Sequence, residues 1–173
     1  MEKPKLILLD NQVYLLRAIS VGDQAKVLSL FHTCEEFFIL TEGIIPINSD
    51  ELYYDLPPGN VMEDKLLYGV LQDELLVGVV DIVKNYPEKG EWIIGLLLLH
   101  PKVRGMGLGK SVHNILIRIA RDGGAKKLRV GVVEQNTSGY QFWAKLGYKK
   151  MKLTEPIRYS IKESKVIVMN YFL

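Results

Sequence analysis

The stretch His100-Pro101-Lys102-Val103-Arg104-Gly105-Met106-Gly107-Leu108-Gly109-Lys110 decides how this chain is read. It follows Trp92 to Leu99, an apolar run of strand length, and precedes a helix over Leu108 to Asp122. In that helix Val112, Ile115, Leu116, Ile119 and Ala120 share one stripe before the Gly123-Gly124 stop. Glycines let the backbone approach a ligand closely and adopt positive φ. The first amides of a helix have no intrahelical acceptor, and its dipole favours negative charge there. Strand, glycine loop and helix N-terminus in this order predict an anion-binding segment. A Walker A loop would need glycine where Arg104 stands, although Gly109-Lys110-Ser111 completes its end. The dinucleotide pattern G-x-G-x-x-G would need its third glycine at Lys110 or Val112. The pattern that fits is R-x-x-G-x-G, with Arg104, Gly107 and Gly109.

Outward from the loop, Lys127 to Glu134 alternates as a strand, so strand, helix and strand form a parallel crossover. A short helix over Thr137 to Leu146 follows, closed by Gly147, and then strands at Lys149 to Leu153 and Val166 to Phe172. On the N-terminal side, Val13 to Ile19 predicts a strand and Val21 to Cys34 a helix. After an irregular aromatic-rich region, Lys65 to Leu71 and Leu75 to Val83 form a hairpin around Gln72-Asp73-Glu74. The expectation is a mixed α/β fold in one domain, residues 1–173, with a mostly antiparallel central sheet.

Composition removes several function classes. At 173 residues and 48% apolar content the chain fills a core, which excludes intrinsic disorder. The single cysteine, Cys34, excludes an intramolecular disulfide framework, and without a Cys/His cluster no metal site is expected. No apolar run is long enough for a membrane span and no signal segment opens the chain, so a soluble, cytoplasmic protein is expected. The formal charge of +2 hides two opposite halves. Between Val27 and Asp64 stand Glu35, Glu36, Glu42, Asp50, Glu51, Asp55, Glu63 and Asp64 with no Lys or Arg. From His100 to Lys152, twelve basic residues face only Asp122 and Glu134. Solvated faces are the ordinary reading of such runs; the alternative is an anionic ligand on the second half and a cationic one near the first. No nucleic-acid recognition motif accompanies the basic half.

Two linked motifs sharpen the reading. After the loop come Val130-Gly131-Val132-Val133-Glu134-Gln135-Asn136 and then Phe142-Trp143-Ala144-Lys145-Leu146-Gly147-Tyr148. With R-x-x-G-x-G they resemble the GNAT superfamily of N-acetyltransferases over about Trp92 to Tyr148. The resemblance implies a central sheet of six to seven strands splayed at a parallel pair, with flanking helices. Residues 92–148 would be the acetyl-CoA-binding core and 26–64 the acceptor side. In the splay, backbone groups of Leu97 and Leu99 would pair with the pantetheine arm of acetyl-CoA. Amides of Arg104, Gly105, Met106, Gly107, Leu108, Gly109 and Lys110 would hold its pyrophosphate. Asn136 would contact the pantetheine, cap the following helix, or do both. The implied partners are acetyl-CoA and an amine acceptor, for a monomer or homodimer.

The resemblance also implies direct attack of a neutral amine on the thioester. An alkyl amine of pKa ~10.4 costs roughly 4.6 kcal/mol to deprotonate at pH 7, whereas protonating a thiolate of pKa ~8.5 is favourable by roughly 2 kcal/mol. A base is therefore the heavier requirement. The resemblance also places Trp143 among the residues that would contact acetyl-CoA, but many family members carry there a tyrosine as the acid, and an indole is no practical proton source. Tyr140, three residues earlier on the same face, is the replacement candidate, against a packing role. The family's carboxylate on the strand before the loop has no match at Gly95 or Leu96. Glu91, at the start of that strand, is the candidate base, and Glu134 is a second. His32 and His113 suit structural roles, and His100 borders the loop. The acidic stretch with Phe37, Phe38, Tyr53 and Tyr54 suits a cationic amine. The alternative from another class is a catalytically silent acetyl-CoA-binding module.

Overall fold

The computed structural model describes residues 3–173. Its main sheet has eight strands in the order β1-β2-β3-β4-β5-β6-β10-β7. These are β1 (Lys5–Leu9), β2 (Gln12–Ala18), β3 (Lys65–Gln72), β4 (Leu75–Val83), β5 (Glu91–Leu99), β6 (Lys127–Val133), β7 (Lys149–Leu153) and β10 (Val166–Phe172), with β8 (Ile157–Tyr159) and β9 (Lys162–Ser164) in a separate small hairpin. The helices are α1 (Gln24–Thr33), α2 (Glu35–Thr41), α3 (Asp50–Tyr54), α4 (Leu108–Asp122) and α5 (Thr137–Lys145). β5 and β6 are the parallel pair, and the other neighbours in the main sheet run antiparallel.

The sheet is one strand wider than expected because Lys5–Leu9 adds an edge. Asp10 and Asn11, both at positive φ, turn β1 back onto β2, with Leu9 opposite Gln12. Asp and Asn tolerate the left-handed conformations that a two-residue hairpin turn requires. The aromatic-rich region expected to be irregular holds α2 and α3. Both are short, so periodicity had too few turns to reveal them.

Helices cover both faces of the sheet. On one face α4 buries Leu108, Val112, Ile115, Leu116 and Ala120 among Val80, Ile82, Trp92, Ile94, Leu128 and Val130. Each large aliphatic side chain placed there contributes about 1.5–3 kcal/mol. Gly123 ends the helix where a Cβ would collide with the Trp92 ring. On the other face α1, α2 and α3 bury Val27, Leu30, Phe31, Phe38, Leu52 and Tyr53 against Leu71, Leu76, Val79 and Leu98. The acidic stretch thus lies across α1 to α3, while the basic half supplies the loop, α4, β6, α5 and β7.

Candidate functional site

The parallel pair opens in mid-strand. β5 and β6 are in register from Glu91 opposite Lys127 to Ile94 opposite Val130, and no further. Beyond that point Leu96 to Leu99 stay with β4, while Gly131 to Val133 stay with β10. The divergence coincides with a β-bulge. Ile82 faces Ile94 and Asp81 faces Leu96, which leaves Gly95 as the extra residue. A bulge bends and twists its strand, so β5 leaves β6 there.

His100 N–H donates to the Val77 carbonyl on β4 at 2.8 Å. By the alternation of a strand, the backbone of Leu98 also faces β4, and that of Leu97 and Leu99 faces the splay. Two strands diverging in this way leave backbone groups that an extended amide-bearing chain can satisfy.

At the wide end of the splay the chain makes a 3-10 turn over Pro101–Val103 and enters the loop. His100 caps the turn, its Nδ1 accepting from Lys102 N–H at 3.1 Å, and buried Val103 anchors it. The three glycines of the loop serve different ends. Gly105 (φ 75°) and Gly107 (φ 89°) lie in the left-handed region, and a Cβ on Gly105 would meet nothing within 4 Å. Gly109 is instead a packing glycine, since a Cβ there would lie 3.0 Å from the Phe142 ring of α5. Ser111 N–H donates to the Gly107 carbonyl at 3.0 Å, which leaves the amides of Leu108, Gly109 and Lys110 without acceptors inside the helix. Met106 and Lys110 are exposed beside them and Leu108 is buried beneath.

The Arg104 side chain faces away from an anion on those amides. Its Nε donates to the Leu99 carbonyl at 2.7 Å, Nη2 lies 3.2 Å from Cys34 Sγ, and Nη1 pairs with Glu36 at 2.5 Å. It ties the loop to the junction of α1 and α2. Glu36 titrates below the usual carboxylate range: its partial burial acts in the opposite direction but is outweighed by the hydrogen bond and charge of Arg104. Burial pushes the Cys34 thiol up despite Arg104.

Across the splay, Asn136 caps α5, its Oδ1 accepting from Gly139 N–H at 2.9 Å and from Ser138 Oγ at 3.2 Å. Tyr140 is half-buried one turn later and packs on the α4-side core. Trp143 is in that core, 8% exposed, among the rings of Phe142, His113 and Tyr148. That ring cluster explains the buried His113. Its Nε2 and the Tyr148 hydroxyl are 3.0 Å apart, and burial lowers the imidazole to about 4, a neutral structural histidine.

The structure does not bring Glu91 to the splay. It is 3% exposed at the start of β5, with Lys127 Nζ at 2.6 Å from one oxygen and Arg129 Nη1 at 3.0 Å from the other. Leu97 is six residues further on, about 20 Å along an extended strand. Both oxygens of Glu91 are engaged, and the expectation of a base there is corrected to a buried ion triad that locks β5 to β6. Glu134, the second candidate, is exposed beyond the end of β6.

Sequence reasoning missed Asp81, a partly buried carboxylate on β4. Its Oδ2 accepts from Lys65 Nζ at 3.1 Å, and Oδ1 lies 3.0 Å from the same nitrogen. Lys65 also donates to the Asp55 carbonyl at 2.9 Å. The available signal was one acid in the otherwise apolar run Leu75–Val83. Lys65 lines a cavity of about 300 Å³ with Tyr53, Tyr54, Met62 and Leu67. Among the described residues no group of three or more His, Cys, Asp or Glu is arranged for a metal ion, and no helix is long and apolar enough to cross a membrane.

A sheet splayed at one parallel pair, with a glycine loop and helix N-terminus at its wide end, defines an acyl-CoA-dependent acyltransferase fold. The profile of the acetyltransferase (GNAT) family matches residues 29–148, well over half of the chain. The chain belongs to that family, which implies acetyl-CoA-dependent acetyl transfer. No curated protein matches the chain. Among solved structures, an acetyltransferase from Thermus thermophilus is 22% identical, with 96% of this chain and 98% of that chain covered at a TM-score of 0.75. The Escherichia coli ribosomal-protein-S18-alanine N-acetyltransferase is 13% identical over 91% and 92% of the two chains, TM-score 0.68. The PaiA N-acetyltransferase of Thermoplasma acidophilum in complex with coenzyme A is 17% identical over 92% and 99%, TM-score 0.67. At these identities the likeness is one of fold, and it agrees with the mixed sheet and its parallel β5 and β6.

Proposed function

We propose that this protein transfers the acetyl group of acetyl-CoA directly to a primary amine of a small cationic acceptor or a peptide. The observation that carries the reading is the splay after Ile94 opening onto the loop with positive φ at Gly105 and Gly107. The pantetheine would lie along Leu97 and Leu99, pairing with their backbone, and the pyrophosphate would take the amides from Arg104 to Lys110. Asn136 orders α5 through its cap, and its amide nitrogen remains for the pantetheine. Tyr140 is the hydroxyl on α5 proposed to return a proton to the thiolate, because Trp143 is committed to the core.

Two features support a cationic acceptor. The acids lie on α2, on α3 and in the segments after each of them, on the side of the sheet away from α4. Among them, burial and then the negative charge of Glu51 push Glu42 up, the mark of two carboxylates sharing one neighbourhood. Two of the structural relatives are N-acetyltransferases by name, one of them acting on an alanine of a ribosomal protein.

Coenzyme A release is the test, measured with small alkyl amines and diamines, amino sugars and peptide N-termini against neutral and acidic acceptors. Amines should outperform the others; preference for neutral or acidic acceptors would reject the acceptor class. The buried Trp143 supports one other reading, a silent acetyl-CoA-binding module. Tight acetyl-CoA binding with no turnover on the amine panel would establish it.

A further inference from the structure

We propose that Asp81 is the base that takes the proton from the acceptor's ammonium, supplied from β4 in place of a side chain on β5. This rests on the amine acetylation proposed above.

The argument begins at the bulge. A Cβ built on Gly95 would lie 2.9 Å from Asp81 Oδ2, and among the described residues other than its chain neighbours only Asp81 has a heavy atom within 4 Å of it. The Asp81 carboxylate therefore occupies the place that a side chain at position 95 would take. That position is where β5 parts from β6, so the carboxylate stands at the narrow end of the splay, beside β5. It lies on the face of α1 to α3, with Val79 and Leu98, opposite the loop helix α4. A cationic acceptor held on that face reaches the splay past Asp81, and acetyl-CoA enters from the α4 side.

The surroundings of Asp81 suit a base. Its side chain is 15% exposed, and the space left by the missing side chain of Gly95 lies against Oδ2. Burial pushes its carboxyl up, the ion pair with Lys65 opposes this, and the negative charge of Asp55 adds to the rise. Lys65 from β3 and Asp55 from the segment after α3 are the charged groups acting on it, while β5 presents Gly95 and Leu96. Lys65, its side chain 3% exposed and held by the Asp55 carbonyl, fixes the carboxylate in place. Oδ1 is buried without a hydrogen-bond partner, although Lys65 Nζ lies 3.0 Å away, whereas Oδ2 faces the gap at Gly95, accepts one bond from Lys65 and keeps a second lone pair. Glu91 has both oxygens bound to cations, and Glu134 is exposed at the far end of β6.

In the step, one N–H bond of the R–NH3+ group breaks and its proton goes to Asp81, leaving R–NH2. The amine lone pair forms the N–C bond at the thioester carbon. As the C–S bond breaks, its electron pair leaves on sulfur. A second nitrogen proton ends on that sulfur as the thiol, and Asp81 releases the first to water.

Asp81→Asn keeps the shape and removes the base. With an alkyl amine at pH 7 its kcat should fall by about 10²- to 10⁴-fold, with acetyl-CoA affinity within threefold of the parent. With an amine weakly basic enough to be neutral at pH 7, the loss should shrink to less than tenfold, and Asp81→Glu should recover part of the alkyl-amine rate. Gly95→Ala provides a second route, because its methyl displaces the carboxylate; it should show the same contrast between acceptors. Equal losses with both amines, or kcat within threefold of the parent, would overturn the assignment while leaving the transferase intact. No turnover by the parent protein on any amine would overturn the transferase reading itself, and the base with it.

Discussion

Arg104 of the glycine loop and Glu36 of α2 form an ion pair at 2.5 Å that joins the basic half of the chain to the acidic half. The arginine of the R-x-x-G-x-G pattern is thus a structural tie, and the backbone behind it is what remains for phosphate. Because both side chains are well exposed, Glu36→Gln should cost less than about 1 kcal/mol of stability. Arg104→Ala also removes the donors to Leu99 and Cys34 and should cost about 1–3 kcal/mol, with a greater loss of acetyl-CoA affinity than Glu36→Gln. Urea denaturation and calorimetric titration with acetyl-CoA check both; equal effects would mean that the ion pair alone matters.

Gly105 and Gly107 separate backbone strain from ligand space. Gly105→Ala should cost about 1–2 kcal/mol of stability through its positive φ, with no clash to add. Its acetyl-CoA affinity should fall far more, since the new Cβ faces the open space beside the loop amides. Gly107→Glu adds negative charge at the same place and should abolish measurable binding. Unchanged affinity in either variant would remove the pyrophosphate from this loop.

Glu91 supplies a control for the base. Glu91→Gln breaks the ion triad with Lys127 and Arg129 and should destabilise the fold by about 2–4 kcal/mol, the range for uncovering buried cations. The acid limb of the kcat/KM profile should stay where it is. A shifted limb in a variant that remains folded would return Glu91 to the chemistry.

His113 gives the fold a pH dependence of known sign. Its folded value, about 4, lies below the ordinary 6.5, so the unfolded chain binds the extra proton between the two. The stability linked to His113 is complete above pH 6.5 and is lost as pH falls toward 4, to a total of about 3 kcal/mol. In His113→Gln that slope should be absent when unfolding free energies are compared from about pH 7 to about pH 4.

Asn136 distinguishes a cap from a ligand contact. Asn136→Ala should cost about 1 kcal/mol, the usual loss of an N-cap. Asn136→Asp keeps the acceptor for Gly139 N–H and should hold stability. If its acetyl-CoA affinity also falls at least tenfold, the amide nitrogen touches the cofactor; unchanged affinity leaves Asn136 as a cap alone.

The local chemistry of this protein was legible in the chain. The geometry of the loop from His100 to Lys110 was legible because positive φ, free helix amides and a preceding strand are properties of adjacent residues. The same holds for α4, whose stripe repeats over about four turns, and for the Asn136 cap. The β1 strand was not expected, because Lys5–Leu9 is only five residues long and its nearly all-apolar run shows no alternation. The acidic stretch packs over one face of the sheet, while the basic half contributes the loop, α4, α5 and the strands β6 and β7.

Tertiary structure decided what depended on residues far apart. Glu91 looked like the acid nearest the loop strand, yet register placed it opposite Lys127 and made it a lock between β5 and β6. Trp143 matched a motif position, but the packing of His113, Phe142 and Tyr148 drew its ring into the core. Arg104 was read with the loop, and its partners turned out to be Cys34 and Glu36, far away in the chain. Asp81 and Gly95 became a pair through a one-residue bulge. A bulge shifts which side chains face each other across a ladder, and no periodicity within either strand records it.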